Sequence, residues 1–337
     1  MKKLGLLAYS TKTGLGVQTQ AYYKHLKPSK VLHVDLSSLN GAKQDYSIFP
    51  NAINIKGIPT EADCYNFLQG LDVLLVAETP LNYKLFSMAK GLGVRTILVP
   101  NYEFNDYLVK DLPYPDLMML PSTWYMDETI EALRNKTNIV FLPMPVDRNE
   151  FKFKPITKAK RFVHIAGRKT FMDRNGTDIF LASIPAVKAD VEFIIYSQQE
   201  LYLPNDPRIR FMGEASSPYE MYKDNDVIVM PRKYGGLCLP LNEALSCGLI
   251  PLMTDCEPQN MILNNDSLVA PLTGTKIKTR ADIISHETTP DRLATAIDKL
   301  ANYDSMQIER LNERSDYIAD LWSWPKLIKQ YEKYLYG

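Results

Sequence analysis

The stretch DVIVMPRKYGGLCLPLNEALSCGLIPLMT, residues 226–254, holds two short apolar runs joined by a glycine turn and a helical pattern. DVIVMP (226–231) and LIPLMT (249–254) have the length and composition of strands buried on both faces. Between them Tyr234, Gly235 and Gly236 turn the chain, and Pro240 suits the first turn of a helix over 240–247. Strand, crossover helix and strand form a βαβ unit, so the two strands are expected to lie parallel. That reading predicts an α/β domain. It also raises the question of why a lone carboxylate, Glu243, sits one turn inside the helix.

The same alternation extends outward in both directions. Toward the N-terminus, strands are expected at 3–9, 30–36, 72–78, 94–100, 116–122 and 138–144, with helices over 17–27, 61–70, 83–92 and 124–135. Around 145–160 the pattern lapses into a charged, proline-bearing linker, PVDRNEFKFKPITKAKR. A second series follows, with strands at 161–167, 191–197, 208–213, 226–231, 249–254 and 267–271 and helices over 176–188, 217–224, 240–247, 258–264 and 290–302. The tail from 305 to 335 reads as helical, interrupted at WSWP (322–325). Two such series predict two facing Rossmann-like α/β domains with a cleft between them and ligands beyond the carboxyl ends of the strands.

The totals agree. A chain of 337 residues exceeds what one hydrophobic core usually supports. Lys+Arg and Asp+Glu balance at 39 each, which excludes a strongly basic nucleic-acid binder and leaves only a local basic patch, such as KFKPITKAKR at 152–161. Cys64, Cys238, Cys247 and Cys256 form no C-x-x-C pair and read as small buried hydrophobes of a reducing compartment. The start MKKLGLLAYS has too short an apolar run for a signal peptide, and no stretch approaches a membrane span, so a cytoplasmic location is expected.

Four segments can carry chemistry. YSTKTGLGVQTQ (9–20) ends a strand and passes Gly14 and Gly16 into a helix; a tight turn accounts for it as well as an anion site does. HIAGRKTFMDRNG (164–176) crowds Arg168, Lys169 and Arg174 at a strand end, an arrangement that suits a diphosphate. In the opening stretch the free N–H groups at 237–241 would face an anion, and Glu243 could accept hydrogen bonds from a ribose diol. Helix-dipole stabilisation, worth a few tenths to about 1 kcal/mol, explains an early glutamate but not the paired glycines beside it. NYEF (101–104) places Glu103 at a strand end of the first domain, either touching substrate or on a surface loop. Asp224–Asn225–Asp226 precedes a strand and reads as a turn, so no metal site is expected; His33 and His164 lie inside strands and read as packed.

These residues match a known pattern. PRKYGGLCLPLNEALSCGLIPLMTD resembles the donor-site signature of retaining GT-B glycosyltransferases of the Glu-x7-Glu, group 1 or family-4-like type, whose run is close to EGFGLPxLEAxxxGxPV. Glu243 falls on the second glutamate, Pro240 on the proline, and Ala244 and Gly248 match as well. HIAGR is similar to the family's G-R turn, TGLG (13–16) to its glycine loop, and WSWPKLIKQYEKYL to its tryptophan-bearing tail.

The resemblance implies an acceptor-side domain over 1–150, a nucleotide-sugar domain over 151–320, and a C-terminal helix over 321–337 crossing back to the first. It implies that Arg168 contacts the donor diphosphate, Glu243 the ribose, and Gly236, Leu237, Cys238 and Leu239 phosphate or sugar, with Phe211, Met212 and Gly213 flanking the base. Gly14, Gly16, Lys169, Arg174, Tyr234 and Gly235 complete the donor set, and Glu103 is the catalytic candidate. Transfer would proceed with retention, without metal or other cofactor, from a nucleotide sugar, UDP-sugar favoured. The acceptor would be a hydroxyl of a glycan, a small molecule or a hydroxymethylated base in phage DNA.

Two departures stand out. Gly235 occupies the first glutamate's place, and Asn175 stands near the usual lysine, with Lys169 and Arg174 as neighbours able to substitute. A non-catalytic nucleotide- or sugar-binding protein on the same scaffold is therefore the alternative, and a nicotinamide-dependent dehydrogenase rests on the G-x-G turn alone.

Overall fold

Apolar runs too short for helices become strands where both of their faces can be covered. In a computed structural model describing residues 2–167 and 173–337, the chain divides into unit 1, Met1–Met144 with Thr279–Ala281 and Leu327–Gly337, and unit 2, Pro145–Lys278 with Asp282–Lys326. Unit 1 holds strands β1 (Leu4–Ala8), β2 (Lys30–Asp35), β3 (Ile53–Lys56), β4 (Val73–Ala77), β5 (Arg95–Val99), β6 (Leu117–Leu120) and β7 (Asn138–Phe141). They pair in parallel in the order β3-β2-β1-β4-β5-β6-β7. Helices α1 (Gly14–Leu26), α2 (Ser37–Asn40), α3 (Glu61–Leu68), α4 (Lys84–Gly91) and α5 (Met126–Leu133) connect them.

Every residue of β1 and β4 is buried, as two-sided coverage requires. Leu32, Val34, Phe67, Leu74, Phe86, Leu98 and Met118 join in one core cluster. Helix α3 starts where its sequence demands: the Thr60 hydroxyl accepts from the Asp63 N–H at 3.2 Å and the Asp63 carboxylate accepts from the Thr60 N–H at 2.9 Å.

Unit 2 repeats the plan with β8 (Arg161–Gly167), β9 (Glu192–Ser197), β10 (Ile209–Gly213), β11 (Val227–Met230), β12 (Ile250–Thr254) and β13 (Leu268–Val269). Their order is β10-β9-β8-β11-β12-β13, again parallel. Helices α6 (Thr177–Ser183), α7 (Leu239–Cys247), α8 (Pro290–Ala301) and α9 (Ser305–Leu321) pack around the sheet, and β14 (Thr275–Lys278) and β15 (Asp282–Ser285) form an antiparallel hairpin. One cluster, with Phe162, Phe180, Phe193, Ile250 and Leu293, covers one face; a second, with Val163, Ile194, Tyr222, Ile228 and Leu245, covers the other.

Several expectations change. The edge strand β3 and the hairpin β14–β15 were not anticipated, because β3 and β14 are largely exposed and none of the three carries an apolar run longer than two residues. Expected helices at 217–224 and 258–264 reduce to single 3-10 turns, Pro218–Met221 and Gln259–Met261. The helix expected from 124 begins at Met126, since Tyr125 adopts a left-handed backbone with φ 53°. His33 and His164 are fully buried, and the four cysteines are unpaired and buried. Among the described residues no helix is long and apolar enough to cross a membrane.

The final helix α10 (Trp324–Tyr336) follows the break at WSWP, and its residues from Leu327 belong to unit 1. There Tyr331 is 1% exposed, its hydroxyl donates to the Pro143 carbonyl at 3.1 Å, and its ring lies 5.9 Å from that of Tyr22. Replacing Tyr331 by Ala is expected to destabilise the protein by about 3–5 kcal/mol in a denaturant titration, and by Phe only about 1 kcal/mol. Equal, small losses would show that the helix does not depend on this anchor.

Candidate functional site

In unit 2 the strand order reverses between β8 and β11, so the crevice beyond their carboxyl ends is where an open α/β sheet takes a ligand. The two strands register only at Val227–Phe162 and Ile228–Val163. Beyond that point the His164 imidazole takes over: Nδ1 donates to the Val229 carbonyl at 2.7 Å, and Nε2 meets the Thr177 hydroxyl at 3.0 Å. Burial pushes the His164 pKa down to about 4, so the ring stays neutral and spreads the strands.

The loops leaving β8 and β11 are sewn together. Gly176 has φ 72°, and a Cβ there would run into the Pro231 carbonyl, so only glycine fits this close approach. The Arg174 carbonyl accepts from the Lys233 N–H at 2.9 Å. Asn175 donates to the Ile165 and Ala166 carbonyls at 3.2 and 3.3 Å, while its Oδ1 accepts from Arg232 Nη1 at 3.4 Å. The buried Asp173 carboxylate accepts the Thr177 and Asp178 N–H groups at 3.0 and 2.9 Å, so the start of α6 is capped from within. Arg168 and Lys169 lie outside the described residues.

After β11 the chain turns through Tyr234, Gly235 and Gly236, all buried. Gly235 has φ 114°, and a Cβ there would meet the Arg232 guanidinium first and Arg174 Cδ at 3.4 Å. Arg232, 3% exposed, donates from Nη2 to the Leu237 carbonyl at 2.9 Å and so holds the turn closed from beneath. Lys233 Nζ pairs with Glu287 Oε1 at 2.6 Å, and the Lys233 carbonyl accepts from the His286 N–H at 2.8 Å. Sequence reading named Arg174, Gly235 and, as a possible stand-in for the glutamate that the resemblance implies, Arg232; the structure adds that the space beside Gly235 is held by the guanidinium of Arg232. Its neighbours in the quoted stretch carried no sign that a guanidinium would turn inward.

Helix α7 begins just past this turn, with Cys238 at its cap supplying no side-chain hydrogen bond and Pro240 in the first turn. Its leading N–H groups and dipole therefore favour an anion at the turn. Leu241 to Cys247 are all buried. Glu243, 7% exposed, accepts from the Tyr222 hydroxyl at 2.6 Å. Burial raises its pKa from 4.5 to about 7, the Tyr222 bond opposes the rise, and the Glu150 charge adds to it.

Of the remaining candidates, Met212 and Gly213 end β10, the edge strand, with Met212 53% exposed. Gly14, Gly16 and Glu103 lie in unit 1. A Cβ on Gly16 would strike the Thr11 carbonyl, which makes that glycine a requirement of the turn into α1. Glu103 is 2% exposed in a 3-10 turn after β5. Among the described residues no group of His, Cys, Asp and Glu is arranged to hold a metal. Asp226 of the D-x-D run accepts from the Lys160 and Arg161 N–H groups at 3.0 and 2.8 Å, a structural tie at the start of β8.

Two parallel-sheet, Rossmann-like units of seven and six strands define the GT-B fold. Residues 160–302, under half of the chain, match the family model of glycosyl transferases group 1. Among solved structures, Anabaena HepE in complex with UDP and glucose is similar with a TM-score of 0.72 at 12% identity, over 99% of this chain and 99% of that one. Sucrose-phosphate synthase from Thermosynechococcus elongatus gives 0.66 at 12% identity, covering 99% and 98%. A glycosyltransferase from Rickettsia africae gives 0.68 at 10% identity, covering 99% and 97%. At such identities the likeness establishes the fold. Sequence comparison with curated proteins gives no match.

The raised pKa of Glu243 has a stability consequence. Between its ordinary value of 4.5 and about 7 the folded state holds a proton that the unfolded state has released. Stability therefore falls as pH rises through this window, by a total on the order of 3 kcal/mol above it. Glu243→Gln removes this term, so the variant is expected to gain on the wild type from pH 4 to pH 8 in parallel denaturant titrations. Parallel stability curves would place the carboxylate in a wetter setting.

Proposed function

We propose that the chain is a glycosyltransferase that moves a sugar from a nucleotide sugar, UDP-sugar favoured, to a hydroxyl acceptor with retention of configuration. The observation that carries this reading is the turn at Gly235–Cys238. It runs into the uncapped start of α7, is flanked by Arg174, Arg232 and Lys233, has Glu243 four residues inside the helix, and lies at a strand-order reversal. The match of this region to group 1 glycosyl transferases supports it, and HepE, solved with UDP and glucose, supports the choice of donor.

The chemistry follows from charge. A leaving nucleoside diphosphate gains negative charge as the glycosidic bond breaks, and groups already aimed at that charge lower the barrier. The α7 N–H groups, Arg174 and the buried Arg232 supply such a field. Glu243 accepts the ribose hydroxyls. The departing diphosphate oxygen takes the acceptor's proton, so no separate general base is required and Glu103 need not meet the reacting atoms.

A second reading, nucleotide or sugar binding without turnover, is favoured by Gly235, where the resemblance places a sugar-contacting carboxylate and the chain instead has a guanidinium. A thermal-shift screen of UDP, UDP-glucose and related donors, followed by radiolabelled donor hydrolysis, separates the two. A donor at a hundred times its Kd stabilises by about 2.7 kcal/mol, and slow sugar release marks the enzyme. No shift with any nucleotide at millimolar concentration would sink the transferase and the nucleotide-binding form of the second reading. Because the ribose requires the ionised carboxylate, affinity for UDP is also expected to rise from pH 6 to pH 8 more in the wild type than in Glu243→Gln, which shares the ligand's own phosphate titration.

A further inference from the structure

Helix α9 has two faces with different surroundings. Ile308, Leu311, Ser315 and Ile318 recur at helical spacing and are buried. Ile308 and Leu311 belong to the core cluster on one face of the unit 2 sheet, and Ile318 to the cluster on the other. On the outer face Met306, Arg310, Glu313 and Tyr317 follow one another at steps of four, three and four residues, and all are exposed. Met306 is 62% and Tyr317 58% exposed, so two large apolar side chains stand in solvent at the ends of this stripe.

Steps of four, three and four are the spacing of a coiled-coil seam, whose side chains insert between those of a facing helix. The seam is about three turns long. Asp304 caps the helix just before it, and Lys326 holds Asp320 at 3.1 Å just after it. Its charged members are uncommitted: among the described residues Arg310 and Glu313 make no ion pair, with each other or with any other group. The Arg314 guanidinium lies 5.9 Å from the centre of the Tyr317 ring and supports it from the side.

This pattern complements itself in one direction. Laid antiparallel across a two-fold axis, the seam sets Met306 on Tyr317 and Arg310 on Glu313 of a second copy, and symmetry makes each contact twice. A thioether on an aromatic ring and an ion pair are both favourable. On the flank Glu309 meets Asp316, whose charge Arg148 already neutralises at 2.5 Å. Laid parallel, the seam would oppose Arg310 to Arg310 and Glu313 to Glu313, and like charges reject that arrangement. A uniformly basic or acidic partner helix would satisfy one of the two charges and repel the other.

From this self-complementarity we infer that the chain forms a two-fold symmetric dimer by antiparallel pairing of α9 with α9 of a second copy. The central charged pair sets the register, since a shift by seven residues puts Arg310 against Met306 or Glu313 against Tyr317. One helix pair is a small interface, so the dimer is weak and reversible. It is independent of what unit 2 binds.

Sedimentation velocity on the full chain, from about 5 to about 300 µM, tests it. The mass is expected to rise from one chain to two across this range. Arg310→Glu and Glu313→Arg each bring like charges together twice, and each is expected to weaken dimerisation about tenfold or more. The double variant rebuilds the same pairs with the charges exchanged and is expected to restore the dimer. All the substituted positions are exposed, and an unchanged thermal melt at the lowest concentration assigns any loss to the interface. A chain monomeric at every concentration, a dimer indifferent to both single exchanges, or a double variant that stays monomeric would overturn the inference.

Discussion

Gly176 passes so close to Pro231 that no side chain fits between them, and the geometry of the unit 2 site hangs on that approach. It fixes the loop after β8 against the loop after β11, with the Arg174 carbonyl bound to the Lys233 N–H and Asn175 facing Arg232. Because strands diverging from a parallel sheet leave a gap at the order reversal, something must span it. His164 does so on the sheet side as a neutral ring, and the glycine contact does so at the rim. A rigid rim matters because donors aimed at a developing charge help only if they need not reorganise when it appears.

The lack of a side chain at Gly235 follows from the same seam. A carboxylate side chain at that position would enter the volume held by the Arg232 guanidinium, and the positive φ of 114° would strain any residue but glycine. The glycine and the arginine therefore depend on each other. The guanidinium lies 3% exposed under the turn, so its effect on a ligand is exerted through the field and through the Leu237 carbonyl it holds. The turn is thus organised around the guanidinium, directly ahead of the start of α7.

Much of this was legible in the sequence because burial on both faces writes strands as apolar runs. β1, β2, β4, β5, β8, β9, β11 and β12 all follow such runs, and α7 follows its proline and closes at Gly248 with φ 88°. What escaped reading did so for physical reasons. β3 has the residues INIK and an exposed edge, so its alternation carries no signal. The segments at 217–224 and 258–264 have helical composition, yet proline-led single turns suffice to bridge their strands. That the Arg232 guanidinium turns inward could not be read, since nothing local distinguishes a guanidinium turned inward from one turned out. Tyr102 and Tyr125 are far apart in sequence and become one surface only when β5 and β6 pair.

The two order reversals apply one rule with different loops. In unit 2 the crevice carries an uncapped nine-residue helix and cations, fitting a ligand that arrives charged and leaves more so. In unit 1 the corresponding edge carries the Asn101–Glu78 hydrogen bond, the buried Tyr9 hydroxyl and the stacked Tyr102–Tyr125 pair. Identical parallel sheets can diverge this far because the strands fix only the position of the loops, while the loops alone carry the charge.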